Sequence, residues 1–187
     1  MAENASQVEL TIDLGNDESD TALLHLLSSL PLEAVVNQTL QMAAIAQPVT
    51  LALLITSDEA IRILNKQYRG QDKPTDVLSF PLLHKPIVDA PADQLWTQAE
   101  APAGERAETV STKQVFITPP ELSNHLGDIV ISWPAVLRQA AGAGHDPSYE
   151  LLYLLSHGVL HLIGYDDQTE AGYQAMVRIQ QAVMEAT

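Results

Sequence analysis

The sequence contains no cysteine among its 187 residues. Disulfide bridges, thiolate metal sites and a cysteine nucleophile are therefore excluded, and a bound metal would need histidine, carboxylate and water ligands. Lysine and arginine are also scarce, since 9 of them stand against 24 acidic residues, for a formal net charge of −15. No apolar run reaches the roughly 18 residues of a membrane span. The first residues, MAENASQVEL, have no basic start and no apolar core, so we expect a cytoplasmic protein.

The negative charge lies mainly outside the middle of the chain. Residues 1–24 carry six acids and no base, and residues 85–124 carry six acids and three bases. Residues 58–81 contain four acids and four bases and are neutral overall. Because a phosphate group responds to the charge near it, the acidic total argues against a nucleic-acid ligand without excluding one.

Hydrophobic periodicity predicts an α+β protein, a single domain over residues 1–187 with one mixed sheet of about four strands packed against several helices. Strands are predicted at 8–14, 49–57, 75–81 and 127–133. Helices are predicted at 31–46, 59–69, 134–144, 146–164 and 169–186. Residues 16–29 are predicted to be an acidic connection with at most a helical turn. Residues 83–126, rich in Pro, Ala, Glu and Thr, lack a period and predict a long insertion that is disordered, a lid or a partner-docking loop.

The stretch LLSHGVLHLIGYDDQTE, residues 154–170, predicts a metal site. His157 and His161 are four residues apart on a helix and project from the same face. Gly164 can end the helix in a left-handed conformation, which would return Asp167 toward both imidazoles. Two histidines and one carboxylate leave a fourth position open, the arrangement of hydrolytic zinc sites.

Other interpretations of this stretch stay open. A histidine pair at this spacing is more often part of a packed core, and the carboxylates of Asp166 and Asp167 would then only stabilise a turn or face solvent. Position 158 is glycine, so the glutamate of the H-E-x-x-H metallopeptidase motif is missing, which disfavours a peptidase.

Three blocks together resemble the YbeY family of metal-dependent, single-strand endoribonucleases in bacterial ribosomal RNA maturation. The blocks are LNKQYRGQDKPTDVLSFP, GDIVIS and HGVLHLIGYD, in the family's order between about residues 49 and 185. The resemblance implies a metal held by three histidines, the third of which is replaced here by Asp167. It implies one ion, zinc above all, although a carboxylate also suits harder metals such as manganese or magnesium. The implied partners are ribosomal RNA, the small ribosomal subunit and its associated factors, with no membrane.

The resemblance also implies a catalytic role for Arg69, whose guanidinium would offset charge on a phosphoryl group. Taken alone, an arginine at a helix C-terminus more often compensates the helix dipole. Four further residues are candidates for substrate contacts or for supporting the ligands: Thr75, Asp76, Ser79 and Asp166. Asp76 could instead pair with Arg69. No general base is evident.

Two weaker candidates complete the sequence-based hypotheses. Arg62 and Lys66 could contact phosphates, although a solvated helix face is the simpler interpretation, and Trp96 is either an incidental contact or a docking anchor. The alternatives to an endoribonuclease are a metal hydrolase of another class, such as a peptidase, and a non-catalytic ribosome maturation factor whose metal is structural.

Overall fold

The structure is a computed structural model that describes residues 5–15, 17–97 and 124–187. Its strands are β1 (Gln7–Asp13), β2 (Thr50–Thr56), β3 (Val77–Pro81) and β4 (His125–Ser132). Its helices are α1 (Asp17–Leu27), α2 (Leu32–Met42), α3 (Asp58–Arg69), α4 (Trp133–Ala143), α5 (Pro147–Ile163) and α6 (Glu170–Ala186), and Ala92–Gln94 form a short 3₁₀ helix.

The four strands form one mixed sheet in the order β1-β2-β4-β3. β1, β2 and β4 run parallel, and β3 pairs antiparallel with β4. The predicted α+β class with one mixed four-stranded sheet in a single domain is confirmed. None of the helices in the described ranges combines the length and hydrophobicity needed to cross a bilayer.

The main core lies between one face of the sheet and the helices α2, α5 and α6. Alternate residues of β2, such as Leu51 and Leu53, point into it and are fully buried, as the two-residue period of a strand requires. Helix α3 covers part of the opposite face, where Ile61 packs with Leu78 and Val130. The core thus holds α5, the helix with both histidines, directly against the sheet.

Helix α5 begins and ends where its sequence signals predict. The Asp146 side chain accepts a hydrogen bond from the Ser148 backbone N–H at 2.7 Å, and Gly164 follows the last turn with φ +134°. Gly158 faces β4 so closely that a Cβ there would lie 2.8 Å from the Ile129 Cδ1 atom. The glycine therefore allows the helix to pack closely on the sheet.

Two parts of the chain have more structure than the sequence predicts. Residues predicted as an acidic connection form the helix α1, because Leu23 and Leu27, one turn apart, are both buried in the core. Residues 83–97, at the start of the predicted insertion, lie against the core and include the buried Val88. Residues 98–123 lie outside the described residues, so the insertion itself stays a prediction.

Candidate metal centre

The end of α5 and the turn after it bring three possible ligands together. The Nε2 atoms of His157 and His161 are 3.0 Å apart, and Asp167 Oδ2 is 3.7 Å from each of them. Among the described residues, this is the one group of three or more such side chains with ligand atoms close enough to share an ion. The structure thus assembles the three residues that the sequence predicted.

The return of Asp167 depends on tight backbone packing around two glycines. After Gly164, the Tyr165 backbone N–H donates back to the Leu160 carbonyl oxygen at 3.0 Å. At the start of α6, a Cβ on Gly172 would lie 1.9 Å from the Asp166 carbonyl oxygen. The turn between α5 and α6 is therefore compact enough to place a residue six positions after His161 beside it.

The outer nitrogens of both imidazoles bond to oxygen acceptors. His161 Nδ1 lies 3.0 Å from the Tyr165 carbonyl oxygen, and His157 Nδ1 lies 3.5 Å from Gln180 Oε1. The Gln180 amide is oriented by its own Nε2–H, which donates to the Tyr153 carbonyl oxygen at 3.4 Å. Because a carbonyl oxygen can only accept, each Nδ1 carries the proton in the neutral ring, and each Nε2 presents a lone pair.

The donor set fits a divalent metal ion. Two Nε2 lone pairs and a carboxylate oxygen face one another, and such an arrangement of acceptors is repulsive unless a cation lies between them. Tetrahedral ligands about 2.0–2.1 Å from zinc are roughly 3.3–3.4 Å apart, and the observed separations of 3.0 and 3.7 Å lie on either side of that value.

The protonation states also suit metal binding. Burial lowers the pKa of His157, and the neighbouring His161 lowers it further. A hydrogen bond from the His161 side chain, which the ring donates when it is protonated, lowers the pKa of Asp167 to about 2, although partial burial opposes this effect. At neutral pH His157 is therefore neutral and Asp167 is ionised, which are the states in which these groups bind metals.

Two clefts flank this centre, and Asp167 borders both. The first, which we call the arginine cleft, has a volume of about 180 Å³ and is lined by Arg69, Ser79, Pro81, Trp96, His161, Asp166, Asp167 and Gln168. The second, the carboxylate cleft, has a volume of about 300 Å³ and includes Asp76, Glu150, Tyr153, His157, Asp167, Tyr173 and Gln180 in its lining. A chain-like ligand crossing the centre would therefore meet Arg69 beside Asp166 on one side and the carboxylates of Asp76 and Glu150 on the other.

Arg69 is the basic residue that the arginine cleft receives from α3. It forms no ion pair with any described residue. By contrast, Arg62 pairs with Glu59 at 2.8 Å and with Asp72, and Lys66 pairs with the same Asp72 at 2.8 Å. Arg62 and Lys66 are therefore neutralised on the surface, as the solvated-face interpretation predicts, whereas the Arg69 guanidinium is available to a ligand.

Asp76 lies on the carboxylate cleft and does not pair with Arg69. Its Oδ1 accepts hydrogen bonds from the Val77 backbone N–H at 2.8 Å and the Thr75 hydroxyl at 3.3 Å. Its Oδ2 accepts from Gln139 Nε2 at 3.0 Å. The alternative of an Asp76–Arg69 pair is therefore wrong. Thr75 lines neither cleft, and its hydroxyl contacts the carboxylate cleft only by its hydrogen bond to Asp76.

Ser79 and Asp166 both line the arginine cleft. The Ser79 hydroxyl donates to the Gly158 carbonyl oxygen at 3.4 Å, which ties β3 to α5. Asp166 Oδ1 accepts from the Gln168 backbone N–H at 3.2 Å. This contact is the turn-stabilising role that its sequence position suggests.

Several residues of the carboxylate cleft could not be found from the sequence. Glu150 lies on the first turn of α5, and its carboxylate is 3.1 Å from His145 Nε2. Burial raises the pKa of Glu150, the nearby His145 opposes the rise, and Asp76 adds to it. Tyr173 and Gln180 come from α6. No local motif marks these residues, because they meet only when α6 packs beside α5.

The end of α5 is capped by a segment distant in sequence. The carbonyl oxygens of His161 and Gly164 accept hydrogen bonds from Trp96, through its indole N–H at 2.8 Å and its backbone N–H at 2.9 Å. The Ile163 carbonyl oxygen accepts from the Ile87 backbone N–H at 3.0 Å. These donors satisfy carbonyl groups that a helix C-terminus leaves without partners. Residues 87–96 therefore help to hold in place the end of α5 and the turn that carries Asp167.

Gly164→Ala is expected to destabilise the fold by at least about 2–3 kcal/mol. A side chain at φ +134° is strained, and its Cβ would lie 2.4 Å from the Pro86 Cβ atom. The matched control is Gly142→Ala in α4, where a Cβ meets nothing within 4 Å and a gain of roughly 0.5–1 kcal/mol is expected. Urea unfolding of the two variants measures both values, and equal stability of Gly164→Ala and wild type would contradict the prediction.

Comparison with known proteins places these residues in a family. The sequence model described as Endoribonuclease YbeY matches residues 16–187. A protein named Endoribonuclease YbeY from Roseiflexus sp. (strain RS-1) is 40% identical over 147 residues, which are 79% of this chain and 75% of that protein. The protein of the same name from Dehalococcoides mccartyi (strain BAV1) is 36% identical over 159 residues, 85% of this chain and 87% of that protein. A solution structure of a Thermotoga maritima protein aligns with a TM-score of 0.49 at 20% identity and covers 96% of this chain and 91% of that one.

Proposed function

The chain belongs to the endoribonuclease YbeY family, and we propose that it is a metal-dependent endoribonuclease that cleaves single-stranded RNA in ribosomal RNA maturation and ribosome quality control. The observation that carries this proposal is the meeting of three possible ligand atoms beside the arginine cleft, where Arg69 has no ion pair with a described residue. In this proposal the protein acts in the cytoplasm, together with the small ribosomal subunit and its associated factors.

His157, His161 and Asp167 would hold one divalent ion. Zinc suits two imidazoles and a carboxylate, while the carboxylate also favours harder ions such as manganese or magnesium more than a third histidine would. When bound, such an ion supplies Lewis acidity that polarises a phosphodiester and makes water more acidic. Tyr165 and Gln180 orient the two imidazoles toward it through their Nδ1 contacts.

Arg69 is proposed to bind the phosphate that is cleaved. Cleavage of a phosphodiester builds charge on the phosphoryl oxygens, and a guanidinium fork can donate two parallel hydrogen bonds to them. Because Arg69 has no carboxylate partner among the described residues, it does not have to break an ion pair to bind the substrate.

The alternative hydrolase classes have less support. A peptidase that uses a glutamate after the first histidine would need a side chain at position 158, where a Cβ lies 2.8 Å from Ile129 Cδ1. A non-catalytic protein with a structural metal would not need, in the adjoining cleft, an arginine that forms no ion pair with the described residues. We therefore propose RNA cleavage over both alternatives.

The direct test compares three substrates with the metal-loaded protein. A single-stranded oligoribonucleotide is expected to be cleaved, its duplex with a complementary strand to resist, and an unfolded protein such as casein to stay intact. Chelation followed by dialysis is expected to abolish cleavage, and adding back zinc or manganese to restore it.

Gel analysis of the products and metal analysis of each sample give the readout. Undiminished RNA cleavage by protein that has lost its metal would contradict the metal dependence. Cleavage of casein without cleavage of RNA would contradict the proposed substrate.

A further inference from the structure

We propose that Trp96 is the stacking surface for one nucleobase of the RNA, next to the phosphate held by Arg69. This inference rests on the proposed function and names the subsite that would hold a base. Trp96 and Arg69 line the same cleft, which His161 and Asp167 close toward the metal centre. A base on Trp96 and a phosphate on Arg69 would thus belong to the same stretch of one RNA strand.

The Trp96 ring is fixed in place and has no free polar atom. The indole N–H donates to the His161 carbonyl oxygen at 2.8 Å, and the backbone N–H donates to the Gly164 carbonyl oxygen at 2.9 Å. The side chain is only half-buried, and because its one polar atom is already bonded, the indole can offer only aromatic carbon to a ligand. A preorganised aromatic surface binds a base without first losing side-chain freedom.

The size of the arginine cleft suits a single nucleotide unit, one base with its phosphate, rather than a large ligand. Its volume of about 180 Å³ is below the roughly 300 Å³ at which pockets for drug-sized molecules begin. Single-stranded RNA presents such groups one at a time, because its unstacked bases are recognised by stacking on aromatic side chains.

The negative charge of the protein makes stacking on Trp96 more important for RNA binding. The chain carries a formal net charge of −15, and Arg62 and Lys66 on α3 are already paired with carboxylates. Proteins that bind single strands usually combine a positive groove with aromatic stacking. Because the net charge of the protein repels the phosphates of an RNA strand, stacking on Trp96 would add affinity that does not depend on charge.

The test uses tryptophan fluorescence in a Trp133→Phe background. The sequence has two tryptophans, and Trp133 packs against the core and lines neither cleft, so Trp96 becomes the only indole. The metal-loaded protein is mixed in a stopped-flow instrument with a short single-stranded oligoribonucleotide. We expect the Trp96 emission to be quenched in the binding phase, before cleavage.

Two substitutions separate stacking from capping. Trp96→Phe and Trp96→Leu both lose the hydrogen bond to the His161 carbonyl oxygen, but only phenylalanine keeps an aromatic face. Fluorescence anisotropy of a labelled oligoribonucleotide is expected to show binding about 5- to 150-fold weaker for Trp96→Leu, the range of one base–aromatic stack. Trp96→Phe is expected to stay close to wild type. Equal weakening in both variants would overturn the inference in favour of capping alone.

An oligoribonucleotide series with one abasic position at a time identifies the stacked base. At one position the loss of the base and Trp96→Leu should not be additive, because both remove the same contact. Normal cleavage with no quenching and additive effects at every position would overturn the stacking inference and leave the proposed function intact. Absence of any RNA binding or cleavage would overturn both.

Discussion

Arg69→Ala is expected to lower kcat for RNA cleavage by about 10²- to 10³-fold, the cost of removing one donor that stabilises charge developing in a transition state. Metal content and thermal stability should stay at their wild-type values. The reason is that Arg69 is exposed, ligates nothing and has no ion pair with a described residue. Single-turnover kinetics at saturating RNA measure the change in kcat.

The matched control for this variant is Arg62→Ala, on the same helix and paired with Glu59 and Asp72. It removes the same charge from the protein and is expected to leave kcat unchanged. Arg69→Lys should fall between the alanine variant and wild type, because an ammonium keeps the charge but not the planar fork. Wild-type kcat in Arg69→Ala, or equal losses in Arg69→Ala and Arg62→Ala, would contradict a phosphate-binding role.

Asp167→Ala is expected to weaken metal binding by more than about 100-fold, the upper end of the cost of losing a group outside the coordination sphere. The variant would keep two imidazole nitrogens 3.0 Å apart but lose the oxygen that lies 3.7 Å from each. Competition with a fluorescent chelator gives the affinity, and elemental analysis of the purified protein gives the occupancy.

Two further variants test the same assignment. Asp167→His should retain the ion and favour zinc over manganese, because it replaces an oxygen ligand by an imidazole. Asp166→Ala is the neighbouring control, since Asp166 accepts the Gln168 N–H in the turn, and it should weaken metal binding far less. Full metal occupancy and unchanged affinity in Asp167→Ala would show that Asp167 is not the third ligand.

Much of the fold could be predicted because its signals are local. Ser57 accepts the Ala60 N–H at the start of α3, and Gly70 ends that helix in the left-handed conformation, as the sequence predicts. Helix α1 is not evident from the sequence, because the burial of Leu23 and Leu27 depends on a core that the acidic local pattern does not show. Tertiary packing, rather than propensity, decides the structure of such a segment.

In the candidate site, too, some features follow from local sequence and others from tertiary packing. The spacing of His157 and His161 determines that they share a helix face, and Gly164 determines that the chain can turn back to Asp167, because backbone geometry alone sets both. Only the tertiary structure shows which basic residue of α3 can bind a ligand. Arg62, Lys66 and Arg69 look equivalent in the sequence, but Arg62 and Lys66 form ion pairs with carboxylates of the described residues and Arg69 does not.

The amino-acid sequence by itself determined the strands, most of the helices and the grouping of the three possible metal ligands, because each depends on residues a few positions apart. Only the tertiary structure decided that Trp96 caps α5 and lines the arginine cleft, and that Glu150 and Gln180 line the carboxylate cleft beside His157. Trp96 is 65 residues from the carbonyl group that it caps, and Gln180 is 23 residues from His157. Contacts over such separations form only when whole elements pack together, so no local pattern records them.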